Sequence, residues 1–372
     1  MTSNEVLTFK EALAKAETLN KQYPDYKGMN ILLANGFSIA CCQDIFMYDK
    51  LFDTADFSKE INNVFCEFET FDFEKIIKKL NDTSRIVNIY NPEIAIVQQL
   101  ELDANKIKDE LVNAISKKHP IHQHIIPDYK FCSAYRFLSN FEKIFTLNYD
   151  MLLYWVLMYK ERSNEILDYL KIANINNMDG FGRLSDDEDL TWYKTKKQNI
   201  FYLHGALHIF DNDYDIVKAE TSSEENLMDI IKECLKNNQY PLIVAEGRSK
   251  EKLNKISHNK YLQNALDNLR YVKGNLFIHG HSLDENDKHI FDAINSFRNL
   301  KQIFISVFEP EKNFEQMQQE ALSIFIDGQH NPKDIFFYDA ESANVWESIS
   351  EKDFAITEYD LYTKKGGKVV EF

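Results

Sequence analysis

The chain has 372 residues, of which 44% are apolar and 27% charged, so it can build a packed core in one or two domains. Its formal net charge of −16 would repel a phosphate backbone, which argues against direct binding to DNA or RNA. The sequence shows neither a signal-peptide pattern nor an apolar run of roughly 18 to 20 residues, so we expect a cytoplasmic protein without a membrane segment.

The sequence opens with a predicted helix over residues 8–20, in which Phe9, Leu13 and Leu19 repeat at helical spacing. A buried strand near 30–34 follows and ends at an Asn-Gly turn. A helix followed by an apolar strand is the expected opening of an α/β domain.

More than a hundred residues separate this strand from the next one, predicted near 143–147, which is too long for one crossover. The spacing of their apolar residues is helical, with helices predicted near 72–80 and 92–117. We therefore expect a helical insertion at about 60–140.

A helix is predicted from Met151 onward, and a polar stretch follows at about 172–198. The acidic run at 185–189 indicates a solvated loop rather than a metal site, because consecutive carboxylates point in divergent directions. We expect this stretch to be a mobile polar loop.

Beyond residue 198 the pattern alternates between strands and helices, as a parallel sheet requires. Strands are predicted near 199–203, 241–245, 274–279, 302–308 and 334–338, with helices near 223–236, 258–269, 286–297 and 311–324. A small hairpin is predicted at 207–217. The predicted fold is a single α/β domain over 1–372, with a doubly wound, mainly parallel, Rossmann-like sheet and a helical insertion.

Polar residues follow four of the apolar runs, at Ser38, Asn148, His204 and Ser282. Ligands of open parallel sheets bind beyond the carboxyl ends of the strands, so chemistry is expected there. Asn148 is the most informative of the four, since an amide both donates and accepts and thus suits a ribose hydroxyl, a carboxamide or an attacking water.

Each position also has a structural alternative. Gly36 lets backbone N–H groups approach a diphosphate, with Ser38 as a further donor, or it serves only a tight turn. Asp150 either takes part in chemistry or caps the helix that begins near 151. His204 suits proton transfer near neutral pH, or it is structural.

The last segment offers a phosphate or ribose contact at Ser282, whereas Asp284 or Asp287 is expected to cap the helix that contains Ile290. The five cysteines are odd in number and form no CxxC pair, which favours free thiols and supplies no zinc framework. No metal site is predicted.

In chain order, the segments Ala34-Asn35-Gly36-Phe37-Ser38, Thr146-Leu147-Asn148-Tyr149-Asp150, Leu203-His204-Gly205 and Gly280-His281-Ser282-Leu283-Asp284 resemble the four signature blocks of sirtuin-like NAD-binding domains. The sequence around 33–48 and 277–290 resembles, more closely, bacterial sirtuin-like proteins that deplete NAD in anti-phage defence. The resemblance spans about residues 28–310.

This resemblance implies that NAD binds across the strand ends. Asn148, beside the nicotinamide ribose, and His204 would be catalytic. Asp150 would lie near the carboxamide, Ser282 near a phosphate or the adenosine ribose, and Glu309 near the adenosine ribose hydroxyls. The cofactor-binding positions that it implies are Gly36, Phe37, Ser38, Asp150, Gly280, Ser282 and Glu309.

The chain lacks the four-cysteine zinc module and the Gly-Ala-Gly turn of sirtuin deacylases. The expected activity is therefore NAD hydrolysis to nicotinamide and ADP-ribose, with NAD as substrate and no metal. A non-catalytic NAD-binding subunit is the alternative, and an NAD-dependent deacylase is a third. The resemblance also implies a separately encoded sensor as partner, homo- or hetero-oligomers, and activity that starts only after infection.

Overall fold

Twelve strands are present in the described part of this computed structural model. In chain order they are β1 Thr2–Leu7, β2 Met29–Leu33, β3 Lys143–Thr146, β4 Phe181–Gly182, β5 Leu190–Trp192, β6 Ile200–Tyr202, β7 Gly205–Asp211, β8 Ile216–Lys218, β9 Tyr240–Ile243, β10 Gly274–His279, β11 Leu300–Val307 and β12 Asp334–Asp339. The structure describes residues 2–42, 52, 55–71, 73–91, 95–118, 123–183, 190–212, 215–219, 227–237, 239–244, 248–296, 298–326 and 333–364.

Seven strands form a parallel sheet in the order β1-β12-β11-β10-β2-β3-β6. Every residue of β2 and β10 is buried, as expected for central strands that helices cover on both faces. Phenylalanines stack across the neighbouring strands β10, β11 and β12, with ring centroids 4.5 Å apart for Phe277 and Phe304 and 5.2 Å apart for Phe304 and Phe336. The predicted α/β class with a mainly parallel sheet is confirmed.

The strand order reverses between β2 and β10. The chain leaves β2 toward β3 on one side, whereas it leaves β10 toward β11 on the other, although the two strands are paired, for example Ile31 with Phe277. Diverging connections open a crevice beyond the carboxyl ends of the two strands. The structure therefore has its topological switch point between two of the four segments singled out in the sequence.

Helices make up most of the described part of the long connection from β2 to β3, where the sequence predicts a helical insertion. The two longest described helices of this insertion, Phe73–Tyr90 and Ala95–Lys118, lie side by side. The α-helices of the described residues are Phe9–Gln22, Asn35–Cys41, Lys59–Glu67, Phe73–Tyr90, Ala95–Lys118, Asp128–Leu138, Leu152–Tyr169, Leu227–Lys236, Ser249–His258, Lys260–Arg270, Lys288–Asn295, Pro310–Phe325 and Glu351–Lys364.

A second, antiparallel sheet has the order β4-β5-β8-β7-β9 and corrects two predictions. The strand predicted near 241–245 for the parallel sheet is β9, which instead pairs with β7 in an antiparallel manner. The stretch 172–198, predicted as a loop, contains β4 and β5, and its Trp192 is buried. The acidic run at 185–189 lies outside the described residues. The predicted hairpin at 207–217 is confirmed as β7 and β8.

One cluster of buried apolar residues includes strands of both sheets and extends from Phe9 to Phe354. The edge strand β1 and the last helix, Glu351–Lys364, were not predicted from the sequence. Among the described residues, none of the helices combines the length and the apolar character that a membrane span requires.

Candidate functional site

A cleft of about 1210 Å³ opens beyond the carboxyl ends of the parallel strands, at the switch point. Segments that follow β2, β3, β6 and β10 all contribute to its walls. Five of the predicted site residues line this cleft: Gly36, Asn148, His204, Gly280 and Ser282. Its volume exceeds the roughly 300–1,000 Å³ typical of small-molecule sites, so it can hold a ligand of dinucleotide size.

Gly36 and Gly280 allow two backbone segments to cross at the base of the cleft. A Cβ on Gly36 would lie 2.6 Å from the Gly280 Cα, and a Cβ on Gly280 would lie 2.6 Å from the Gly36 Cα. Gly280 also has a φ of +74°, which favours glycine. The Gly36 amide donates to the Gly280 carbonyl at 2.8 Å, and the Gly280 amide donates to Ser306 Oγ at 2.8 Å. The N–H of Gly36 itself is thus already bonded, and the approach of backbone N–H groups to a diphosphate stays a prediction.

Ser38, Asn148 and Asp150 form a buried network behind the cleft wall. Ser38 Oγ donates to Asp150 Oδ2 at 2.5 Å and accepts from Asn148 Nδ2 at 2.8 Å. Asp150 Oδ1 accepts from the Leu152 amide at 2.8 Å, so Asp150 holds the start of a helix, as the capping alternative expected. The diphosphate role of Ser38 and the carboxamide role of Asp150 are corrected, because both carboxylate oxygens and the fully buried hydroxyl have internal partners.

This network fixes the orientation of the Asn148 amide. Besides its bond to Ser38, Asn148 Nδ2 donates to the Ala34 carbonyl at 3.1 Å. Both amide hydrogens are therefore used within the protein, and the amide oxygen is the polar atom that Asn148 can offer to a ligand in the cleft.

His204 occupies the turn between β6 and β7. The turn depends on Gly205, which has a φ of +73° and on which a Cβ would lie 1.7 Å from the Leu242 carbonyl oxygen. His204 is 4% exposed, and burial lowers the pKa of its imidazole to about 3. The expected titration near neutral pH is therefore corrected, and the ring is neutral at pH 7 and able to accept a hydrogen bond.

A cluster around Asp287 adjoins His204 and was missed in the sequence. Asp287 Oδ1 lies 2.8 Å from Lys252 Nζ and 4.0 Å from His204 Nε2, and its Oδ2 lies 3.3 Å from His281 Nε2. His281 Nδ1 accepts from the Leu283 amide at 2.7 Å, which leaves the ring proton on Nε2, facing the carboxylate. Burial opposes ionisation of Asp287, but the hydrogen bond from His281 and the nearby His204 and Lys252 hold the carboxyl pKa well below its usual range.

His289 completes the cluster. Its Nε2 lies 3.1 Å from His204 Nε2, its Nδ1 lies 3.1 Å from Ser249 Oγ, and burial lowers its pKa to about 4. Asp287 does not cap the following helix through its side chain, which corrects that alternative; Asp284 instead accepts from the Asn286 amide. The available sequence signal was the density of histidines around an aspartate at 279–289.

A protein-family model described as "Domain of unknown function (DUF4917)" matches residues 31–346 of the chain. The chain belongs to the DUF4917 family. A search of curated proteins finds no match. The DUF4917 match extends from β2 past β12 and so includes all the cleft segments described above.

The far end of the cleft in this DUF4917 domain lies over β11 and β12. Here Phe37, expected to contact the cofactor, is 1% exposed and packs against Trp346 with ring centroids 5.0 Å apart, which corrects the expectation. Trp346 Nε1 donates to the Phe37 carbonyl at 2.8 Å. Glu309 pairs with Lys312 at 2.9 Å and does not line the cleft, whereas its neighbour Phe308 does.

Proposed function

We propose that this DUF4917 protein hydrolyses the bond between nicotinamide and ribose in NAD, giving nicotinamide and ADP-ribose. The observation that carries the proposal is the meeting of the four predicted strand-end segments in one cleft, with Asn148 and His204 both on its wall. The switch point of a doubly wound sheet is where nucleotide ligands of such folds bind. The sirtuin-like resemblance of the same segments supplies the choice of NAD.

The reaction itself requires no acid catalysis by the protein. The nicotinamide ring is cationic in NAD and leaves with the bonding electron pair as a neutral pyridine, so no proton has to be delivered to it. Water adds to C1 of the ribose and loses one proton, so NAD and water give nicotinamide, ADP-ribose and a proton. The protein has to orient the ribose, stabilise the oxocarbenium-like transition state and place the water.

Asn148 and His204 suit these tasks in the proposed mechanism. The Asn148 amide oxygen, held by the bonds of Nδ2 to Ala34 and Ser38, accepts from a ribose hydroxyl or from the attacking water. The neutral His204 imidazole accepts a hydrogen bond from that water or from a ribose hydroxyl. Because burial makes this ring a weak base, the proton of the water is released to solvent.

The far end of the cleft supports NAD rather than NADP as the substrate. Glu320, Glu341 and Glu347 line this end, and Glu341 and Glu347 are exposed. Carboxylates next to the adenosine ribose would repel the additional 2′-phosphate of NADP. We place the adenosine half of NAD here, and the nicotinamide half beside Asn148 and His204.

An enzyme that drains NAD has to stay inactive in a healthy cell. We propose that the protein acts in the cytoplasm as an anti-phage effector, controlled by a separately encoded sensor or by assembly into homo- or hetero-oligomers. Support for this part comes from the resemblance to NAD-depleting defence proteins alone.

One observation favours a second candidate, a non-catalytic NAD-binding subunit. Both hydrogens of the Asn148 amide, and one nitrogen of His204, already have partners within the protein. Side chains that already have hydrogen-bond partners within the protein would also be expected in the wall of a site that binds a nucleotide without reacting with it. Binding of NAD without turnover, with trigger and partner present, would support this candidate.

The experiment that tests the proposal follows NAD, nicotinamide and ADP-ribose in cells that express the chain with its genomic neighbours and are infected with phage. We expect NAD to fall with matching gains in the two products, and no change with Asn148→Ala or His204→Ala. Unchanged NAD across several phages, with the folded protein present, would contradict the proposal.

A further inference from the structure

Two buried imidazoles meet beside the cleft, and the proposed hydrolysis uses only one of them. The Nε2 atoms of His204 and His289 are 3.1 Å apart, and their rings stack with centroids 5.3 Å apart. Two ring nitrogens at this distance are joined either by a hydrogen bond or by a metal ion that both of them bind. The neighbouring Asp287 carboxylate favours the metal ion.

Asp287 supplies a third ligand atom. One of its carboxylate oxygens and one ring nitrogen of each histidine lie within 4.8 Å of one another, the grouping of ligand atoms that a metal ion could bridge. Two imidazoles and one carboxylate are a ligand set for transition metals such as zinc, rather than for calcium or magnesium. The cleft on the open side leaves room for a water or another ligand at the remaining position.

The geometry of the pair fits such an ion. For a zinc ion about 2.0–2.1 Å from both Nε2 atoms, the N–Zn–N angle would be about 100°, close to the tetrahedral value. A tetrahedral site needs ligand atoms about 3.3 Å apart, so the Asp287 oxygen, now 4.0 Å from His204 Nε2, would have to approach that nitrogen by about 0.7 Å.

Outer partners already hold the side chains in place. His289 Nδ1 faces Ser249 Oγ at 3.1 Å, and Asp287 Oδ2 faces His281 Nε2 at 3.3 Å. Hydrogen bonds of this kind, on the atom opposite the metal-binding one, orient the histidine and carboxylate ligands of metal sites.

Lys252 opposes the binding of a metal ion at these residues. Its Nζ lies 2.8 Å from Asp287 Oδ1 and is itself 9% exposed, so an ammonium group now neutralises the carboxylate that a metal ion would need. A divalent ion has to displace this ammonium. Lys252 therefore competes with the metal and weakens its binding.

We propose that His204, His289 and Asp287 form a binding site for a divalent transition-metal ion, for which Zn²⁺ is the probe, and that Lys252 competes with it. A bound ion at His204 Nε2 would place positive charge beside the oxocarbenium-like transition state and thereby block NAD hydrolysis. The blocking rests on the proposed function, whereas the binding does not.

The test titrates Zn²⁺ into the metal-free full-length chain against a chromophoric chelator of known zinc affinity. We expect one zinc equivalent in the wild type, at least a hundredfold weaker binding in His204→Gln and His289→Gln, and at least tenfold tighter binding in Lys252→Met, because a positive charge is removed near the ion. His258→Gln, which changes an exposed histidine, should bind zinc like the wild type. Circular dichroism of each variant verifies that it is folded.

The histidine variants should weaken zinc binding and Lys252→Met should strengthen it, so a general effect of substitution cannot explain both results. Equal zinc binding in the wild type and His289→Gln, or no effect of Lys252→Met, would overturn the site. NAD turnover is then measured with and without Zn²⁺, and inhibition should need less zinc in Lys252→Met. Zinc binding without any turnover would contradict the proposed hydrolysis but leave the metal site, and turnover that zinc leaves unaffected would overturn the blocking.

Discussion

The two ends of the cleft differ in how firmly their polar groups are held. At the end near β3 and β6, Asn148 and His204 are 7% and 4% exposed, and their side chains have fixed partners within the protein. At the end over β11 and β12, Phe308 is 60% exposed, and Glu341 and Glu347 are also exposed. Held polar groups suit the stabilisation of a transition state, whereas an open rim suits recognition of an unreactive part of the ligand. This difference is why we assign chemistry to the first end and specificity to the second.

Substitutions at the end of the cleft near β3 and β6 should reduce activity most strongly. Asn148→Ala and His204→Gln should each lower kcat for NAD at least about a hundredfold, since each removes a group that contacts the reacting atoms. His258→Gln, on an exposed helix surface, should leave kcat unchanged. Steady-state kinetics of the activated protein measure these values, and melting temperatures show whether each variant is folded. Near-wild-type turnover in a folded Asn148→Ala protein would contradict the assignment.

A substitution at the crossing of the Gly36 and Gly280 backbone segments, at the base of the cleft, should reduce the stability of the fold. Gly280→Ala combines a φ of +74° with a Cβ 2.6 Å from the Gly36 Cα, so we expect a loss of about 2–4 kcal/mol in the free energy of unfolding. Gly182→Ala is the matched control, because its Cβ would meet no heavy atom within 4 Å. Chemical denaturation compares the two. Equal stability of both variants would show that the crossing is not tightly packed.

A buried histidine at the base of the cleft should make stability depend on pH. Burial lowers the pKa of His279 to about 4, from an unfolded value of about 6.5, and its Nδ1 faces Tyr338 Oη at 2.9 Å. The unfolded chain thus binds more protons between these values, so stability is complete above pH 6.5 and falls as the pH falls toward 4. Relative to His279→Gln, the wild type should lose about 2 kcal/mol between pH 7.5 and pH 5.

Urea denaturation at both pH values measures this difference, with His258→Gln as the control for an exposed histidine. A wild type that keeps the same stability relative to His279→Gln at both pH values would mean that His279 titrates normally in the folded protein.

A charge reversal at the far end of the cleft should have a smaller effect, on the preference for NAD over NADP. Glu341→Lys replaces a carboxylate on the rim by an ammonium group, so KM for NADP should fall about fivefold relative to KM for NAD. Glu358→Lys makes the same charge change on the exposed face of the last helix, away from the cleft lining, and should not alter the ratio. A ratio that changes equally in both variants would indicate a general charge effect and not a contact with the adenosine ribose.

Strong local patterns allowed much of the fold to be predicted. The central strands are continuous apolar runs followed by glycine or polar residues, and six of the seven parallel strands were placed within a few residues. Strand β9 was assigned to the wrong sheet because a short apolar run does not reveal which strand it pairs with or in which direction. Strand β1 was missed because its six residues include several polar ones.

Less of the site could be predicted, because its geometry depends on contacts between distant segments. The sequence indicated that Asn148 and His204 lie at strand ends, but not that Ser38 uses its hydroxyl for Asp150. The low pKa of His204 is caused by burial, which residue order does not show. Within the cluster, Asp287 and His289 are close in sequence, but His204 and Lys252 come from distant segments, so the sequence does not show that these four residues meet.

Hydrolysis of NAD is tested most directly by the reaction of the activated protein with NAD in water enriched in ¹⁸O. We expect equal amounts of nicotinamide and ADP-ribose, one ¹⁸O atom on C1 of the ribose, and neither product with Asn148→Ala or His204→Gln. NAD that binds but stays intact, with sensor and trigger present, would contradict hydrolysis and identify the protein as a binding subunit.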